Sequence, residues 1–199
     1  MKKDNNIIAN FVSIIFSPEN VIPISLIVLI TETYSGEVKY VWILLIVLLN
    51  FLFNYIWLYY LYMLGFEIDR PLEDLSVRKS RLLALLPQIL ILFFELSLSN
   101  LYGGNQPFHA GVILFLVGGL LFSFITFYWK ISAHTSATAV LFTILATIIS
   151  PWFWLCFLFS PFIYLSRKKL HRHTDNQLII GNILGVIVTA IIFKLCHII

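Results

Sequence analysis

The sequence predicts an all-α fold, a polytopic bundle of six or seven transmembrane helices, on three observations. Of 199 residues, 60% are hydrophobic and 12% charged, against about 25% charged in an ordinary globular domain. The charges are bunched, and the gaps between bunches reach the roughly 20 helical residues needed to cross a hydrocarbon core. Polar or proline-bearing breaks, "SPEN", "SNLYGGNQPF" and Ser150-Pro151, divide the apolar runs. A net charge of +3, carried by arginines in loops between spans, argues against a nucleic-acid partner. The partners it predicts are the lipid bilayer and anionic headgroups.

The elements follow in order. The first, residues 1–39, is a short or interrupted membrane helix, because Pro18, Glu19 and Asn20 interrupt its apolar part. "SPEN" either divides an interfacial helix from a short span or precedes a helix starting at Val21. The basic start lacks a small-residue cleavage site, so this segment reads as mature chain. Residues 40–199 form the membrane domain. Its first span, about residues 40–64, is flanked by aromatic residues as interface belts are, with Asn50 and Asn54 one turn apart on an inward or helix-contacting face. After the charged loop 65–81 comes a span over about 82–98 with Glu95 near its far end, and another over about 109–128.

The apolar run after His134 is too long for one helix, since proline removes a donor and clashes with the preceding turn. Two helices, about 134–149 and 152–166, fit better, each roughly 22 to 24 Å long at 1.5 Å per residue. A closing span covers about 178–199, with Gly181 and Gly185 forming a small-residue face for close packing. The hairpin returns the chain to the side it left, so loops 65–81, 130–134 and 166–177 share one end of the bundle.

That end gathers Arg78, Lys79 and Arg81, then Lys130, Ser132 and His134, then Ser166, Arg167, Arg172 and His173. Guanidinium forks match phosphate oxygens, helix-start amides add donors, and histidines transfer protons or attack phosphorus. Flanking positive charge also follows from topology alone, and Ser132 reads equally as a helix cap. His134, His173 and Asp175 lack metal-ligand spacing and sit among cations that oppose a divalent ion. The acidic cluster Glu67, Asp69, Glu73 and Asp74 reads as a solvated face. Cys156 and Cys196 specify neither a metal site nor a disulfide framework.

These residues resemble the type 2 phosphatidic acid phosphatase superfamily over about residues 65–190. Its third motif is serine-arginine, five residues, histidine, three residues, aspartate; Ser166, Arg167 and His173 match it, with Gln177 in the aspartate position. Its second, proline-serine-glycine-histidine, is similar to Ile131-Ser132-Ala133-His134. For the first, lysine, six residues, arginine-proline, Arg70-Pro71 supplies an ending with Met63 in the lysine position. A second register puts Arg81 in the arginine position, Asp74 for lysine and Leu82 for proline. Arg78 and Arg81 are preferred because they enter a helix at the membrane surface, with Lys130 or Lys79 replacing the lysine.

The resemblance implies dephosphorylation of a membrane lipid phosphate or diphosphate, independent of metal and cofactor. His173 would attack phosphorus to form phosphohistidine, and His134 would protonate the leaving oxygen and then activate water. Arg167, Ser132, Ser166, Lys130 and the first-loop arginines would hold the oxygens. Gln177, if helical with His173, would fix its ring tautomer without supplying an aspartate's charge; Asp175 takes that role if the segment is not helical. Two rivals remain: a lipid-binding or transport protein without turnover, and a lipid phosphotransferase. The implied location is a cell membrane, crossed several times. If the first segment spans, the positive-inside rule places the basic loops in the cytoplasm, while arginines recruited for phosphate binding would allow the outer face.

Overall fold

The structure, a computed structural model, describes residues 6–66 and 75–199, and of residues 75–79 and 81 only the backbone. The described residues form an all-α bundle. Helix α1 (Ile7–Ile15) starts at Asn6, whose side chain accepts the Ala9 amide. It ends at Phe16, and Pro18 opens α2 (Pro18–Thr33) as a first-turn proline, where its missing N–H costs nothing. The second helix therefore starts at Pro18, not Val21. Together α1 and α2 make a 27-residue apolar unit, Ile7–Thr33, long enough to cross a membrane.

The next rod, Gly36–Met63, starts four residues before the expected span. It comprises α3 (Gly36–Ile46), a π-helical stretch Val47–Phe53, and α4 (Asn54–Met63). Then come α5 (Leu75–Leu101) and α6 (Phe108–Tyr128). Helix α7 (Ala133–Ile144) widens into a π-helical turn, Leu145–Ile149, and stops at Ser150, which is fully extended before Pro151. A 3-10 stretch, Pro151–Phe159, leads into α8 (Ser160–Lys169), and α9 (Asp175–Leu195) closes the chain. Among the described residues, five rods are long and apolar enough to span a membrane, with Ala133–Ile149 a shorter sixth. This is a membrane protein, and the break at Ser150-Pro151 falls where proline chemistry places it.

Lipid offers no hydrophobic force to drive helices together, so packing and buried polar bonds must do so. Helices α7 and α9 pack most closely. A Cβ on Gly181 would lie 2.6 Å from Thr135 Oγ1 and 2.8 Å from the Ser132 carbonyl, and one on Gly185 would lie 2.9 Å from Ala139 Cβ. The small-residue face is thus the α7 contact. Within the bundle, Gln88 donates to Asn50 at 2.6 Å and Asn50 donates to Glu95 at 2.5 Å, all three buried. Glu95 is paired there, and Asn50 and Asn54 both face inward. At the far end, Tyr34 stacks on Trp42 and Phe108 packs against both at a tilt, and Thr33 Oγ1 accepts the Phe108 amide. Outward positions such as Leu44, Leu48, Phe93, Phe94, Ile183 and Ile187 are exposed and apolar, as a lipid-facing surface requires.

Candidate functional site

The near end of the bundle is assembled by helix termini. Ser132 is the N-cap of α7, fully buried, its hydroxyl accepting the Thr135 amide at 3.4 Å. Its own amide donates to the Gln177 carbonyl at 3.2 Å, which ties the start of α7 to the first turn of α9. Helix α8 ends in a Schellman turn: His171 adopts φ 51°, its amide returns to the Lys168 carbonyl, and the Arg172 amide returns to the Arg167 carbonyl. The reversed chain presents the Arg172 carbonyl to Lys130 Nζ at 2.7 Å. Loops 130–134 and 166–177 therefore meet, as the crossing count predicts.

Between these termini opens a cavity of about 510 Å³, within the range of small-molecule sites, about 300–1,000 Å³. Lys130, His134, Arg167 and His173 line its polar end. Apolar helix sides make most of the remaining wall, among them Leu58 on α4, Leu85 on α5 and Phe122 on α6, and Glu19 on α2, Asn54 on α4 and Gln88 on α5 add polar groups to it. Arg167 is 2% exposed and Lys130 3%; burying cations is costly unless they are bonded or face an anion. Chemically, the polar end offers guanidinium and ammonium donors beside two imidazoles, and the body offers room for a chain of hydrocarbon.

Several expected roles change. Ser166 is buried and its hydroxyl donates to the Ala9 carbonyl at 2.6 Å, so it holds α1 against α8 rather than lining the cavity. Ser132 takes the helix-cap role that its sequence position predicts, and it does not line the cavity. Gln177 does not share a helix face with His173. The helix begins at Asp175 with Thr174 as N-cap, and the Gln177 amide oxygen folds back onto the Thr174 amide at 3.1 Å in a capping box. Asp175, the alternative, forms an exposed ion pair with Lys168 at 2.9 Å. Arg78 and Arg81 have side chains outside the described residues, and Arg70-Pro71 and the acidic cluster lie outside them altogether. Among the described residues, no cluster of three or more His, Cys, Asp or Glu side chains is placed to hold a metal.

Two residues join the site without a sequence motif. Ser13 on α1 lines the cavity; Arg167 Nη1 donates to its hydroxyl at 2.7 Å, and His134 Nε2 lies 3.3 Å from the same oxygen. Thr126, near the end of α6 and 6% exposed, lines the cavity with a hydroxyl that has no hydrogen-bond partner among the described residues. The spacing of Ala9 and Ser13, small residues four apart in a bulky apolar helix, is the one sequence signal for the buried face of α1. The chain matches no protein-family model, no curated protein and no solved structure.

Proposed function

We propose that the protein removes the phosphoryl group of a membrane lipid phosphate or diphosphate through a phosphohistidine on His173. The observation that carries this reading is the convergence of His134, Arg167, His173 and Lys130 at one end of an otherwise largely apolar cavity. A ring nitrogen of His173 attacks phosphorus while the bond to the lipid oxygen breaks, and His134 gives that oxygen its proton. Water then attacks the phosphohistidine, His134 takes the water's proton, and the P–N bond breaks to release phosphate. Arg167 and Lys130 stabilise the charge spread over the equatorial oxygens without moving, which is the main catalytic resource for such transfers. The hydrocarbon tail remains among helix side chains while the headgroup sits at the polar end. Phosphatidate, phosphatidylglycerophosphate and polyprenyl diphosphates in a cell membrane all suit this division.

One observation favours a second reading. With Gln177 committed to the helix cap, the family's carboxylate partner for the attacking histidine is replaced by a neutral residue that turns away. A lipid-binding protein without turnover fits that feature. The deciding experiment measures phosphate release by purified protein from a panel of lipid phosphates in detergent containing chelator. Release is expected, with His173→Ala and His134→Ala each lowering it by at least about 100-fold, the scale of nucleophilic and acid–base contributions. Folded wild-type protein that binds lipid phosphate but releases none supports the binding reading; transfer of phosphate to an added alcohol supports a phosphotransferase.

A further inference from the structure

We infer that Ser13, on the N-terminal helix, is a positioning residue that holds His134 in one ring orientation and tautomer. Its role in turnover rests on the phosphoryl-transfer reading above; its effect on the ring does not. Serine and threonine hydroxyls inside helices usually bond back to their own backbone. Ser25, Thr33, Ser97, Ser123, Thr143 and Thr189 all do so here, each donating to the carbonyl four residues earlier. Ser13 instead directs its hydroxyl away from α1, to Arg167 and His134.

The donor directions follow from chemistry. A guanidinium only donates, so the 2.7 Å bond from Arg167 Nη1 occupies one lone pair of Ser13 Oγ. Ser13 retains its own proton, and His134 Nε2 at 3.3 Å is the acceptor in reach. A neutral His134 therefore accepts at Nε2 and carries its proton on Nδ1. When the ring is protonated, Nε2–H donates to the second lone pair of the same oxygen. One hydroxyl thus serves both protonation states, its own proton turning while the imidazole stays in place, and the proton that His134 gives and takes back is the one on Nε2. The helix bearing Ser13 is itself fixed: Ser166 and Arg167, adjacent in sequence, grip Ala9 and Ser13, one turn apart on α1.

The test uses the full chain in detergent with 15N-labelled histidine, the His134 signals being assigned by loss in His134→Gln. In wild type, neutral His134 is expected with Nδ1 protonated and Nε2 bare. Ser13→Ala should populate the opposite tautomer, and Ser13→Thr, which restores a hydroxyl, should return the wild-type pattern. In the phosphate-release assay Ser13→Ala should lower kcat on the order of 10- to 100-fold, the cost of a misplaced catalytic group, with recovery in Ser13→Thr. An unchanged His134 tautomer in folded Ser13→Ala overturns the inference. Should that variant not fold, Ser13→Cys, similar in size but a poor hydrogen-bond partner, is read by the same signals against the same outcomes. If wild type releases no phosphate from any lipid, the phosphatase reading fails, and the tautomer comparison still decides the role of Ser13.

Discussion

Thr126 shows how much a single buried atom constrains. Its hydroxyl is buried, faces the cavity and lacks a partner among the described residues, whereas Ser123, one turn earlier on the same helix, bonds back to Gly119 at 2.7 Å. An unmade hydrogen bond in an apolar setting costs about 1–3 kcal/mol. A bound headgroup or ester oxygen that completes this bond recovers that cost, and the free protein bears it. Thr126→Val keeps the branched shape and removes the hydroxyl. It should leave thermal stability equal or higher by about 1 kcal/mol, while the KM for lipid phosphate rises roughly 2- to 10-fold, one net hydrogen bond. Thermal unfolding and steady-state kinetics on one preparation check both halves; a stability loss with unchanged KM assigns Thr126 to packing instead.

At the scale of elements, the contact between α7 and α9 sets the distance between the His134 helix and the loop that carries His173. Gly185 makes it possible: a Cβ there would press on the Ser136 carbonyl and lie 2.9 Å from Ala139 Cβ, and neither backbone can yield alone. Gly185→Ala should destabilise by about 1–3 kcal/mol through overpacking and lower phosphate release by displacing the two histidines from each other. Gly119 on α6 has nothing within 4 Å of its would-be Cβ, so Gly119→Ala should stabilise by up to about 1 kcal/mol through helix propensity. Thermal melts of both variants in one detergent test the pair, since a general response of helices to added methyl groups would shift them in the same direction. The Gly181/Gly185 face was legible because small residues at helical spacing have one common use in membranes. The Ser150-Pro151 break was legible because proline is locally decisive. The cap role of Gln177 has its own sequence signal, since Thr174-Asp175-Asn176-Gln177 is a capping-box pattern, but its spacing of four from His173 carries a competing one. Ser13 was legible only as part of the buried face of α1, through its spacing from Ala9; its partners lie 121 and 154 residues away, and no local pattern encodes a contact that only packing creates.

For the whole molecule, the arrangement places two kinds of lining along one cavity. Cationic donors and imidazoles gather where the helix termini meet, and helix sides from α2, α4, α5, α6 and α9 enclose the remainder. If the hydrocarbon tail occupies that remainder, each added methylene removes apolar surface from water and contributes about 0.8 kcal/mol, a factor of roughly four in kcat/KM. The series has to be run with monomeric substrates, below the concentration at which they form micelles, because a tail already in a micelle gains little by entering the protein. Under those conditions short-chain phosphate monoesters should be poor substrates. The value of kcat/KM should climb about fourfold per methylene over the first several carbons, then level once the cavity of about 510 Å³ is filled. Filling it from the protein side should act in the same direction: Ala84→Phe, which adds bulk to the α5 wall, should move the plateau to shorter chains without changing the rate for the shortest ester. A flat chain-length series would place only the headgroup in the cavity and leave its apolar length without a role in substrate selection.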